Sequence, residues 1–315
     1  MKIIHGIENY KHPGSKIYAA LGAFDGIHSG HVKLITEAIK AAKQNSGTSV
    51  IITFNPHPRA LISGANSFKM ITSPDEKAKI LSSLGADILL ILDFNVKLSE
   101  MLPEDFCGEV LVNKIGVTEV FIGFNFCFGK KRAGNAVILN EIGRSLGFKV
   151  NVIDGLEIGG FVVSSSKIRL LVESGAVEEA IKFLGRPYSM KGTVVHGDGL
   201  GGKLKIPTAN IKSSCDEKII PKNGVYAVKC SILGKFYDGL INIGTRPTVY
   251  EKCSNIVTCE VHLLDFNDDI YGHEVTVEFL KRIRDERRFA DFNMLCDQIR
   301  QDIVETAEFF NSFNN

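Results

Sequence analysis

The chain has 315 residues, 44% of them hydrophobic, and 37 Lys and Arg balance 36 Asp and Glu to a formal net charge of +1. That balance excludes a nucleic-acid binder relying on a strong basic field, and the apolar content excludes wholesale disorder. The length suits two domains better than one.

Up to about residue 185, strand-like and helix-like segments alternate. "IYAALGA" (17–23) precedes the helical pattern "HVKLITEAIKAAKQ" (31–44), then the β-branched run "TSVIITF" (48–54). "PDEKAKILSSL" precedes "ADILLIL", "PEDFCGEVLVNKI" precedes "VTEVFIGF", and "NAVILNEIGRSL" precedes "FKVNVI". Short apolar runs between amphipathic helices predict a Rossmann-like parallel sheet covered on both faces, with ligands at the rim of strand C-termini. After "LGRPYSM" the texture becomes β-rich: "GVYAVKCSIL", "KFYDGLINIG", "IVTCEVHLLDF" and "HEVTVEFL" are separated by turn signals. Only "ADFNMLCDQIRQDIVETAEFFNSF" reads as a long helix. These elements predict a small antiparallel barrel with a C-terminal helix, and a boundary between residues 1–186 and 187–315. No apolar run approaches the ~20 residues that cross a bilayer, and the first residues lack a signal peptide's apolar core. Seven scattered cysteines without C-x-x-C predict reduced thiols in the cytoplasm.

Two stretches carry chemistry. In "GAFDGIHSGH" (22–31), Gly22, Gly26 and Gly30 permit sharp turns, and His28 and His31 share a face at a helix start. Unpaired amides and the helix dipole favour phosphate there, and imidazoles add donors. By itself, His-x-x-His also fits an exposed turn or half a metal site. In "GDGLGGKLKIPTANI" (197–211), the glycines satisfy two phosphate-loop patterns, but Leu204 follows Lys203 where a P-loop needs Ser or Thr. Pro207 also points to an extended segment rather than a helix. In 256–266, strand alternation puts Val257, Cys259, Val261 and Leu263 on one face and Glu260 and His262 on the other.

The pattern G-x-F-D-G-x-H-x-G-H resembles the signature of the HxGH nucleotidyltransferases. With "TFNPHPR", "GFNFCFGKKRAGN" and "VSSSKIRLLVESGAVEEAIKFLGRPY", and then "PTAN", "NGVYAV", "INIGTRPTV" and "RIRDERRF" in order, the chain resembles bacterial bifunctional riboflavin kinase/FAD synthetase. The resemblance implies phosphorylation of riboflavin to FMN and adenylylation of FMN to FAD, with ATP as co-substrate and Mg²⁺ as cofactor. It implies that Gly22, Phe24, Asp25, His28 and His31 meet ATP in the first half, with Ser164, Ser165 and Arg169 on its outer phosphates. Asn125 and Phe128 match flavin-side positions. In the second half it implies ATP contact by Gly197, Gly199, Thr208 and Asn210, the last two also toward Mg²⁺. Glu260 matches the catalytic base, and Arg284 a residue near flavin or nucleotide.

The chain departs from many relatives at Asn125 and Cys127, where they carry Asp and Arg. Gly202 and Lys205 stand in place of an Arg and a Gly. The second departure bears on ATP binding in the kinase half, so FAD synthesis with an impaired kinase is one alternative. A non-catalytic flavin-binding regulator and an adenylyltransferase for another phosphate ester are others. The expected partners are small molecules, with neither nucleic acid nor membrane; the oligomeric state stays open.

Overall fold

The computed structural model describes residues 1–63, 68–196, 207–246, 256–266, 268–287 and 289–313. The chain divides into two compact units, Met1–Ser165 and Ser166–Asn315.

The first unit holds β1 (Lys2–His5), β2 (Ile17–Leu21), β3 (Thr48–Asn55), β4 (Ile88–Asp93), β5 (Val117–Gly123) and β6 (Lys149–Ile153). They form one sheet in the order β1-β4-β3-β2-β5-β6, with every neighbouring pair parallel. All five residues of β2 are buried. Ile17, Ala19 and Leu21 join one core, while Tyr18 and Ala20 join another, because successive side chains leave opposite faces of a strand. The sheet is therefore covered on both sides, which is why its strands read as continuous apolar runs.

The helices of the α/β layers are α1 (Ser29–Gln44), α2 (Pro58–Ser63), α3 (Pro74–Ser83), α4 (Val96–Ser99), α5 (Pro103–Asp105) and α6 (Ala136–Leu146). In α1 the buried residues Leu34, Ile35, Ala38, Ile39 and Ala42 recur at helical spacing. Each Leu or Ile so buried contributes about 1.5–3 kcal/mol. Ser73 and Glu76 form a reciprocal capping box at the start of α3, with Pro74 in its first turn. The expected helix at 103–115 is instead one α-turn followed by a π-helix over Phe106–Ile115, ended by Gly116 in the left-handed region. Phe106, Cys107, Val110, Leu111 and Ile115 are buried along it. Sequence patterning did not foresee β1, whose four residues bury only Ile4. Nor did it foresee the short hairpin of β7 (Glu157–Ile158) and β8 (Phe161–Val162).

Helices α7 (Ser165–Ser174) and α8 (Val177–Leu184) precede β9 (Tyr188–Val195), β10 (Ala209–Ser213), β11 (Gly224–Ile232), β12 (Lys235–Arg246), β13 (Ile256–Leu263) and β14 (Glu274–Asp285). These strands close into an antiparallel barrel in the order β10-β13-β12-β11-β14-β9. Closure leaves no open sheet edge. The C-terminal helix, Phe292–Phe313, sets Phe310 against Ala227 and Leu280 of the barrel. Arg282 of β14 ties in the preceding helices: its guanidinium donates to the carbonyls of Ser174 and Asn223, and its backbone N–H to Glu178.

Candidate functional site

The strand order fixes where a ligand can lie in the first unit. From β2 the chain moves to β3 on one side, while β5 and β6 lie on the other. Such a reversal opens a crevice at the C-terminal ends of the two central strands. The segment leaving β2 is the turn 22–28, and the segment leaving β5 contains Asn125, Cys127 and Phe128.

The turn is tightly constrained. Phe24 (φ 47) and Ile27 (φ 37) adopt left-handed backbone conformations without being glycine, at about 1–2 kcal/mol each. Burial offsets this, since Phe24 is 2% and Ile27 0% exposed. Gly26 has φ 86, and a Cβ there would stand 3.3 Å from Ile71, so glycine is required. The buried carboxylate of Asp25 accepts from the N–H groups of Ile71 (3.0 Å) and Thr72 (3.2 Å). The hydroxyl of Ser165 donates to the Asp25 carbonyl at 2.8 Å, bringing the start of α7 to the turn.

His28 caps α1. Its Nδ1 accepts from the backbone N–H of His31 at 3.2 Å. An accepting Nδ1 carries no proton, so the neutral ring holds its hydrogen on Nε2, the atom fit to donate to an anion. The rings of His28 and His31 stack with centroids 3.6 Å apart, and Phe24 meets His31 edge-on at 5.3 Å. Two imidazoles thus stand at a helix N-terminus, where amides and dipole already favour phosphate. The structure brings together the turn, both histidines and Ser165. Asp25 acts by bracing backbone, and the ring of Phe24 belongs to the core. Ser164 lies beside Ser165, and Arg169 sits one turn along α7, beyond the division between the compact units.

Asn125 and Cys127 are exposed, whereas Phe128 is buried in the core beside Phe106 and Phe126.

In the barrel, Glu260 of β13 stands directly between Asn210 of β10 and Asn242 of β12. Directly opposed residues approach to about 5 Å at Cβ, so the three form one polar row. Ala209, Ile211, Ile241, Ile243, Cys259 and Val261 are buried on the opposite face. The alternation read from 256–266 is thus observed for Cys259, Val261 and Leu263, although Val257 is 40% exposed. Burial pushes the neighbouring Cys259 thiol up to about 11, so it stays protonated and inert. The ring of His262 donates from Nδ1 to the Pro207 carbonyl at 2.8 Å and holds the start of the P-T-A-N stretch against β13. Arg284 Nε and Nη2 grip the carboxylate of Asp302 on the C-terminal helix at 2.7–3.0 Å. Gly197, Gly199, Gly202, Lys203 and Lys205 lie outside the described residues.

The FAD synthetase family model matches residues 11–167, and the riboflavin kinase family model matches residues 184–310. Curated relatives named bifunctional riboflavin kinase/FMN adenylyltransferase align end to end. The protein of Buchnera aphidicola (subsp. Schizaphis graminum) is 39% identical over 99% of both chains, and that of Bacillus subtilis is 35% identical over 99% of both. The chain belongs to the bifunctional riboflavin kinase/FMN adenylyltransferase family. A crystal structure from Streptococcus pneumoniae, described as a macrolide-efflux protein, is 30% identical with a TM-score of 0.87, covering 96% of this chain and 97% of that one. Among the described residues, no helix of this family member is long and apolar enough to cross a membrane. Because each half matches its own family model, neither FAD synthesis with an impaired kinase nor a non-catalytic flavin-binding regulator is favoured.

Lys77 carried no sequence signal, and only the return of α3 brings it to the turn. Thr53, Asn242 and His262 lie in quoted stretches, but their contacts with the turn, with Glu260 and with Pro207 come from strand order and register.

Proposed function

We propose that this protein makes FAD in two steps at separate centres, phosphorylating riboflavin in one half and adenylylating FMN in the other. The functional division is assigned to residues 1–186 for adenylyl transfer and 187–315 for the kinase. The observation that carries the reading is the end-to-end match to bifunctional relatives, together with an anion-suited histidine turn at the switch point and the polar row around the Glu260 carboxylate on the barrel.

At the first centre, a phosphate oxygen of FMN attacks the α-phosphorus of ATP; the new P–O bond forms as the bond to the β-phosphate breaks, releasing pyrophosphate. The Nε2–H of His28, His31 and the first amides of α1 stabilise charge on the phosphates, a task of positioning and electrostatics. Ser164 and Arg169, at and just inside the start of α7, are assigned to the outer phosphates. Ser165, whose hydroxyl donates to the Asp25 backbone carbonyl, contributes by steadying the turn. Asn125, exposed at the end of β5, is assigned to the flavin side. Phe128 lines it from the core, and Gly22, Phe24 and Asp25 contribute backbone.

At the second centre, the riboflavin 5′-hydroxyl attacks the γ-phosphorus of ATP, its proton passes to Glu260, and ADP leaves. Asn210 offers an amide oxygen opposite that carboxylate, and Thr208, two residues earlier, a hydroxyl; hard-oxygen donors of this kind fit Mg²⁺. When bound, the ion neutralises phosphate charge. Arg284 is assigned to holding the C-terminal helix beside this face. The free thiols found at all six described cysteines suit a reducing cytoplasm.

The test is chromatography of flavins after incubation with ATP and Mg²⁺, starting from riboflavin and separately from FMN. FMN and FAD from riboflavin are expected. FAD from FMN alone, with none formed from riboflavin, would remove the kinase assignment; binding without product would remove both.

A further inference from the structure

The strained turn before His28 is braced by a cation that the reaction leaves without a task. The ammonium of Lys77, on α3, lies 2.8 Å from the Ala23 carbonyl and 3.2 Å from Thr53 Oγ1. Thr53 is 1% exposed, and its own hydroxyl donates to the same carbonyl at 3.0 Å. The turn holds the helix in return, because Asp25 accepts from Ile71 and Thr72, the two residues before the capping Ser73. Turn and helix are therefore clasped twice, in opposite directions. Ala23 directly precedes Phe24, the first of two non-glycine residues in left-handed conformation. Such backbone persists only where its surroundings over-determine it.

We propose that Lys77 is a positioning residue for adenylyl transfer, fixing the Ala23 peptide and through it the place of His28 and the N-terminal amides of α1. This rests on the adenylyltransferase reading above. The role calls for a cation: an apolar chain of equal length would leave the carbonyl to Thr53 alone and remove a positive charge from beneath a phosphate site. The groups facing the ammonium are the Asp25 carboxylate from the turn and the Thr53 hydroxyl from β3. On its own helix, Glu76 is turned to the Ser73 backbone. Burial pulls the ammonium down to about 8 against the opposing pull of Asp25, so the charge of the brace is lost within an accessible alkaline range.

The experiment follows FAD formation from FMN, and FMN formation from riboflavin, in the same samples of full-length protein from about pH 7 to about pH 9.5. Wild-type kcat for FAD formation is expected to fall about tenfold per pH unit above a midpoint near 8, while the kinase reaction lacks that limb. Lys77→Met is expected to lower kcat on the order of 10²-fold at neutral pH and to lose the alkaline limb, with kinase activity unchanged. Lys77→Arg, which stays protonated, should carry activity to higher pH. A flat wild-type profile, or a methionine variant close to wild type, would overturn the proposal. Should the methionine variant lose cooperative melting, the wild-type profile and the arginine variant decide. Wild-type protein that forms no FAD at all would count against the adenylyltransferase reading itself, whereas FAD formed without an alkaline limb counts against the brace alone.

Discussion

Glu260 of the barrel and His28 of the first unit carry the two proposed steps, so substituting each tests one step by itself. Glu260→Gln keeps shape and one acceptor oxygen but cannot take up the hydroxyl proton. It is expected to lower FMN formation by roughly 10²–10⁴-fold while FAD formation from supplied FMN stays intact. A kinase that turns over normally with glutamine there would rule out the base. His28→Ala removes both the Nε2–H donor and the cap on α1. Its expected signature is the reverse, a loss on the order of 10²–10³-fold in FAD formation alone, together with about 1 kcal/mol of stability for the lost cap. Equal FAD output from that variant would move the anion site elsewhere. Arg284 shows how one residue type can be read two ways. In sequence it is a cation near a ligand stretch; in the fold its guanidinium donates to the Asp302 carboxylate and to the Asp285 carbonyl.

At the scale of elements, the C-terminal helix depends on that pair. Asp302 is 2% exposed and also accepts from Gln298, one turn earlier on the same helix. Removing one partner of a buried pair strands the other's charge, so Asp302→Ala is expected to destabilise the barrel unit by about 3–5 kcal/mol. Urea unfolding of the full-length protein would measure it, and a coupling energy near zero in the Arg284/Asp302 double-mutant cycle would refute the pin. The π-helix over Phe106–Ile115 makes a related point. Its apolar residues were visible in the sequence, but a reader assuming a period of 3.6 assigns an α-helix. Phe106, Val110, Leu111 and Ile115 join one core, and their spacings of four and five fit either helix, so the sequence alone does not separate the two.

For the whole molecule, proton linkage follows from groups whose folded and unfolded affinities differ. Lys77 is held at about 8 against 10.5 for a free lysine. Between these values the unfolded chain binds the extra proton, so stability rises with pH. Cys107 is pushed from 9.0 up to about 12, and Tyr10 from 10.0 up to about 12, both by burial. Above their unfolded values the native state keeps protons that the unfolded chain has released, and stability falls. The first unit should therefore gain about 1 kcal/mol between pH 8 and 9 and lose stability at higher pH. Calorimetry of wild type beside Lys77→Met checks this, since the variant should lack the rise. A matching rise in the variant would remove lysine as its source. Over the same interval FAD formation should decline, so activity and stability move in opposite directions.

The sequence by itself determined the two-part architecture, the anion-suited turn around His28 and His31, and the strand face bearing Glu260. Each of these is local: hydrophobic period, glycine placement and helix-start chemistry all act within about ten residues. Tertiary structure alone decided which distant groups complete the sites. Strand order put Asn242 beside Glu260 and the 71–77 segment beside Ala23, and it committed Phe24 and Phe128 to the core. Nothing along the chain encodes those neighbours as a pattern, because they arise from packing whole elements, where register and burial rather than spacing choose the partner.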